Sequence, residues 1–216
     1  MPMRGLKATL IMGLLLFQFS ARTADKTKNE DPLGGKDLAS WIAQLDSRDS
    51  LQRMLAINAL ANIGPKADPA VQKLIDLALN DNKEFISLNA RRALAAIGDA
   101  GFIAIIKKLE TITEQDRPEP YACMLDHFGK AFSAKLLDHL KDKNSVVVRA
   151  CINALANIEM RVSDPNPLAP PRSKILEAMK ALLDHEDKHV RSAAKSVIDD
   201  FTRTKVNCFC MREWYR

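Results

Sequence analysis

The sequence predicts an all-α chain built as a short array of about five helical hairpins, and two observations carry that expectation. The heptapeptide INALANI occupies residues 57–63 and, letter for letter, residues 152–158, an offset of 95 residues. A degenerate copy, RRALAAI, lies between them at 91–97 and is followed by Gly98, as the first copy is followed by Gly64. Aligning the central leucines makes Leu60, Leu94, Leu125, Leu155 and Val197 equivalent, at spacings of 34, 31, 30 and 42 residues. Self-similarity at such periods marks an array in which each repeat is one supersecondary unit. The second observation is a run of apolar residues at steps of three and four ahead of each copy, which is the face of an α-helix.

Taken in order, the first helices present Leu38, Trp41, Ile42 and Leu45; then Val71, Leu74, Ile75 and Ala78; then Phe102, Ile105, Ile106 and Leu109. Phe132, Leu136, Leu137 and Leu140 serve the fourth unit, and Ile175, Met179 and Leu182 the fifth. Short polar turns follow at 46–50, 80–84, 141–145 and 184–188, rich in the Asp, Asn and Ser that suit turns and N-caps. The second helices are small and apolar and end at Gly64, Gly98 and Gly129, where a residue free of a Cβ accommodates the C-terminal turn. SVVVR at 145–149 is strand-like in composition, but its register puts it at the start of a second helix. In the third unit Pro118 and Pro120 interrupt the pattern, so its second helix is expected to begin near Glu119. A proline-rich loop, residues 160–172, accounts for the 42-residue spacing before the fifth unit.

The array is expected over residues 37–203. Ahead of it, residues 1–21 combine Arg4 and Lys7, an apolar run from Ala8 to Phe19 and small Ser20 and Ala21, the layout of a secretory signal peptide. That run is shorter than the roughly 20 residues of a membrane span, so no stable span is expected after cleavage. Residues 22–36 read as a flexible leader and 204–216 as a C-terminal tail. The formal charge of +5 falls to +3 once Arg4 and Lys7 are removed, leaving 30 cations against 27 spread anions. Nucleic-acid binders concentrate positive charge, so no nucleic-acid partner is expected. The 47% apolar content sets aside disordered and collagen-like classes.

The pattern Asp-x(n)-Val-Arg-x-x-Ala-x-x-Ala-Leu-x-x-Ile-Gly resembles HEAT repeats of the short bacterial type also found in phycobilisome lyases. It is carried by Val148, Arg149, Ile152, Leu155 and Ile158, by Val190, Arg191, Ala194 and Val197, and by Ala90, Ala93, Leu94, Ile97 and Gly98. The resemblance implies a right-handed α-α superhelix with second helices lining the concave side. It also implies an inter-repeat ladder of Asp and Arg side chains, for which Asp142 with Arg149 and Asp187 with Arg191 are the candidates.

Positions two before and two after each central leucine fall on one helix face. The first column is Asn58, Arg92, Cys123, Asn153 and Lys195; the second is Asn62, Ala96, His127, Asn157 and Asp199; Arg149 and Arg191 lie one turn earlier. A concave groove is expected to use Asn58, Asn62, Arg92, His127, Arg149, Asn153, Asn157, Arg191 and Lys195 to hold a protein or peptide.

No Gly-rich phosphate loop, GxSxG elbow or CxxC pair is present. His185 and His189 are four apart but flank a turn with no third ligand in sight, and His139 sits at the edge of an apolar face. No cofactor, metal or catalytic set is therefore expected, and the chain reads as a non-catalytic, exported scaffold, periplasmic or secreted. The alternative is a HEAT-like enzyme or enzyme accessory, bilin-lyase-like or resembling a metal-dependent hydroxylase, in which Cys123, His127, His185 and His189 would matter. Cys208 and Cys210 suit a CxC disulfide or a bridge to another chain, whereas Cys151 reads as a small core residue. Trp214 and Tyr215, with Arg212 and Arg216, suit a cap over the last repeat.

Overall fold

Four polar turns and three glycines punctuate the helices of the described residues. The computed structural model describes residues 35–113, 118–160 and 169–202. Among the described residues there are ten α-helices and no strand. They pair as five successive hairpins: α1 (Leu38–Gln44) with α2 (Ser50–Ile63), α3 (Val71–Asn80) with α4 (Glu84–Ile97), and α5 (Asp99–Thr111) with α6 (Glu119–Asp126). The last two are α7 (Ser133–Asp138) with α8 (Ser145–Met160) and α9 (Arg172–Ala181) with α10 (Lys188–Thr202). Second helices pack in series, α2 on α4, α4 on α6, α6 on α8 and α8 on α10, so the chain is an α-solenoid.

One local device starts most second helices. A side chain in the turn accepts the backbone N–H two residues on, and the residue so held caps the helix in the same way. Ser47 Oγ accepts from Asp49 N at 3.2 Å and Asp49 Oδ1 from Leu51 N at 2.9 Å. Asp142 and Asn144 repeat this before α8, each at 2.9 Å. Before α10 the first role passes to His185, whose Nδ1 accepts from Asp187 N at 3.0 Å, and Asp187 Oδ1 then accepts from His189 N at 2.7 Å. Each such bond satisfies a donor that the helix leaves unpaired. At the other end Gly64, Gly98 and Gly129 take φ of +66°, +83° and +64°, the left-handed region where a Cβ is costly.

The core is the sum of the five predicted apolar faces. Leu60, Leu94, Leu125 and Leu155 are fully buried, as are Leu74, Ile105, Leu136 and Ile175 from the first helices. Each large aliphatic side chain so placed contributes about 1.5–3 kcal/mol of transfer free energy. SVVVR is the first turn of α8, and α6 begins at Glu119, as expected; α6 is only 8 residues long against 14 for α2 and α4. Phe102, Phe128 and Phe132 fill the junction of units three and four with ring centroids 4.9–5.7 Å apart. His139 joins their edge, 5.9 Å from Phe102. Gly101 lets α5 press on α4: a Cβ there would lie 2.5 Å from the carbonyl oxygen of Leu94.

No helix among the described residues is long and apolar enough to cross a membrane. The expected signal peptide (1–21), nearly all of the leader, the centre of the 160–172 loop and the tail at 204–216 lie outside the described residues.

Candidate functional site

The outward face of each second helix is a straight stripe, because offsets of −9, −5, −2 and +2 from the central leucine all fall within one narrow sector at 100° per residue. On α2 the stripe is Leu51, Leu55, Asn58 and Asn62, and all four are exposed, the leucines at 59% and 48%. On α4 it is Phe85, Asn89, Arg92 and Ala96, with Phe85 at 41% and Arg92 exposed. Lys195 continues it, exposed, on α10. Leu51, Leu55 and Phe85 were not among the residues expected from sequence. The signal lies in the period, since they extend the same columns one and two turns upstream of the polar positions.

In units three and four the same stripe is closed. Asn153 is half-buried, and Asn157 is buried completely rather than lying on an open groove. Its Nδ2 donates to Asp126 Oδ2 on α6 at 3.0 Å. Asp126, itself buried, also faces His127, with Oδ1 2.9 Å from Nδ1. The same ring nitrogen lies 2.7 Å from the carbonyl oxygen of Cys123. Burial pushes the Arg91 guanidinium below its usual range, while the charges of Asp126 and then Glu84 pull it back up. The centre of the array thus carries a polar cluster of Arg91, Asp126, His127 and Asn157. Asp126 was legible as an anomaly, since the position after the central leucine is Ala61, Ala95 and Ala156 in other units.

The expected ladder of Asp142 with Arg149 and Asp187 with Arg191 is not what forms. Arg149 reaches back to Glu119 of the preceding unit at 3.9 Å. Arg191 Nη1 donates to the carbonyls of His185 and Glu186 in its own turn, at 2.6 and 2.8 Å. The inter-unit fork belongs to Arg53, which donates to both carboxylate oxygens of Asp81 at 2.7 and 3.0 Å and to the Ser47 carbonyl at 2.8 Å. Arg53 and Arg191 each sit four residues after the capping aspartate and both donate to carbonyls of their own turn, but no described unit follows Arg191 to offer a carboxylate, whereas Arg149 sits five after Asn144. Lys73 with Asp46 and Lys135 with Asp99 add exposed ion pairs between units. Beside Arg53 an open cleft of about 520 Å³ lies between the first two units, lined by Leu45, Asp46, Lys73, Asp76 and Asp81 among others.

Among the described residues no three His, Cys, Asp or Glu side chains converge as a metal site. His185 is spent on its turn. Cys151 is a buried free thiol whose pKa is pushed well up by burial and, secondarily, by Asp142. Cys123 is disulfide-bonded. Cys208 and Cys210, for which a CxC bond was one expectation, lie outside the described residues.

The fold and this face define a helical-repeat protein with a second-helix surface that is open at one end and closed at its centre. No family profile and no curated protein matches the chain. Among solved structures it is similar to an engineered protein, 22% identical over 77% of this chain and 79% of that one, with a TM-score of 0.31. It is also similar to a designed armadillo repeat protein, 15% identical over 76% of this chain and 99% of that one, with a TM-score of 0.32. Likenesses of that size carry no argument, and the fold rests on the chain's own helix order and packing.

Proposed function

We propose that the chain is an exported, HEAT-like interaction module that binds a peptide segment of a protein partner along its second-helix face, without catalysis. The observation that carries this reading is the apolar run of Leu51, Leu55 and Phe85, which stays in water although their helices have cores to bury into. Leu51 and Phe85 are positional equivalents on adjacent helices, whose axes pack at about 8–10 Å. Flanked by Asn58, Asn62 and Arg92, they form an apolar centre with a polar rim, the anatomy of a protein-binding patch. Export is supported by the N-terminal layout of Arg4, Lys7 and the apolar run.

A second, catalytic reading has one observation in its favour, the Asp126–His127 pair. Its hydrogen-bonding capacity is largely consumed, by the Cys123 carbonyl on one side and the Asn157 amide on the other, which suits a buried strut better than a proton shuttle. The test is crosslinking with mass spectrometry in the native exported fraction, comparing wild type with L51D/F85D. Loss of the crosslinked partner in the variant is the expected result. Retention of the same partner at wild-type yield would sink the assignment to this face, and stoichiometric iron or zinc in purified protein would overturn the non-catalytic reading.

A further inference from the structure

We propose that the partner engages this face with an amphipathic, acidic α-helix laid lengthwise between α2 and α4. The inference deepens the proposed binding role and rests on it. Helices α2 and α4 run the same way and nearly in register. Near their starts, Arg53 of α2 donates to both carboxylate oxygens of Asp81, just ahead of α4, at 2.7 and 3.0 Å. Near their ends, a Cβ on Gly64 would lie 3.7 Å from the carbonyl oxygen of Ala96. The two stripes therefore lie side by side, with Leu51 and Leu55 beside Phe85, and Asn58 and Asn62 beside Arg92 and Ala96.

Two ridges whose axes pack about 8–10 Å apart leave a channel that suits a third helix, itself about 10–12 Å across. Backbone chemistry selects a helix over an extended segment. Leu51, Leu55 and Phe85 offer no side-chain donor or acceptor, so an extended backbone pressed on them would lose water from its N–H and C=O groups without replacement. A helix bonds its own backbone and presents apolar side chains at steps of three and four. Leu51 and Leu55 stand four residues apart, about 6 Å along α2, which matches one turn of a partner helix.

Charge sets the sign of the partner. Arg92 is the one charged residue on the open stripe of the first two units; it is exposed and makes no ion pair or hydrogen bond. Glu84 precedes Phe85 but turns about 100° away, on the side of Arg91. Asp49 and Lys83, the N-cap residues of α2 and α4, offset one another. The exposed stripe charges of α10, Lys188 and Lys195, are cations too. Arg92 stands seven residues beyond Phe85, about 10 Å along α4. An Asp or Glu one to two turns past the apolar pair of a partner helix would meet it, and complementary charge of this kind fixes register.

The probe is a displayed library of random peptides about 18 residues long, roughly five helical turns, selected on the purified full chain. Enriched sequences are expected to carry apolar residues three or four apart, an Asp or Glu about three to seven residues beyond them, and no internal proline. A pool that is basic, proline-punctuated or no richer than that from bare beads would overturn the acidic helix. Selected peptides are then titrated by fluorescence anisotropy against wild type, R92E and L51D/F85D. R92E is expected to bind an acidic peptide about five- to tenfold more weakly and to regain affinity for its Glu→Lys version. Equal affinities would overturn the charge pairing. Undiminished binding to L51D/F85D would remove the face itself, and the proposed binding role with it, whereas non-acidic or non-helical peptides that L51D/F85D no longer binds would leave that role standing. Sedimentation covers the remaining occupant: a wild-type dimer that L51D/F85D dissolves would place a second copy of the chain in the channel and overturn the acidic helix.

Discussion

Helices α2 and α8 contain the same seven letters, INALANI, and bury them differently. In both copies the inward half behaves alike: Ile57, Ala59 and Leu60 are buried in α2, and Ile152, Ala154 and Leu155 in α8. The outward half diverges. Asn62 is exposed, while Asn157 is sealed and bonded to Asp126; Leu51 stands 59% exposed, while its equivalent Val146 is 3% exposed. An amphipathic period fixes which face turns to the core, but whether the opposite face meets water depends on what the rest of the chain lays over it.

The comparison is broken most severely by a charge on the outward face. Val146→Asp places a carboxylate in a covered site and is expected to cost about 3 kcal/mol or more, since a buried unpaired charge is among the costliest defects. Leu51→Asp, its positional twin, is expected to change stability by no more than about 0.5 kcal/mol. Urea denaturation midpoints of the two variants measure the contrast, and equal midpoints would abolish it.

A smaller effect is expected at the shared asparagines. Asn157→Ala strips Asp126 of a donor and leaves a buried carboxylate short of a partner, worth about 2 kcal/mol. Asn62→Ala removes nothing that the fold uses and stays within about 0.5 kcal/mol. The same melts in the two single variants decide whether the second copy owes its rigidity to that bond.

The smallest change is Cys151→Ala, which makes α8 match Ala56 of α2 one residue ahead of the heptapeptide. Removal of one sulfur atom from a tight core is expected to cost about 1 kcal/mol. In the native chain Cys151 should resist alkylation at pH 8, because burial raises its pKa and blocks access, and should react only on unfolding. Rapid labelling of the folded protein at Cys151 would show that α8 opens more readily than its packing implies.

The sequence by itself determined the hairpins. Period, turn letters and glycines act over a few residues, so five first-helix faces, the start of α6 at Glu119 and the positive-φ glycines could all be read along the line. The partner of Arg53 could not: a ladder was placed on Arg149 and Arg191, but Arg149 is one residue out of register with Arg53, and Arg191, in register, has no described unit after it. Nor could the burial of Asn157 be read, since it depends on two helices meeting at one surface. Local hydrogen bonding and apolar spacing are properties of a short stretch of chain. Coverage of a helix's second face is a property of its neighbours, and only the tertiary structure separates two identical heptapeptides into an open stripe and a closed one.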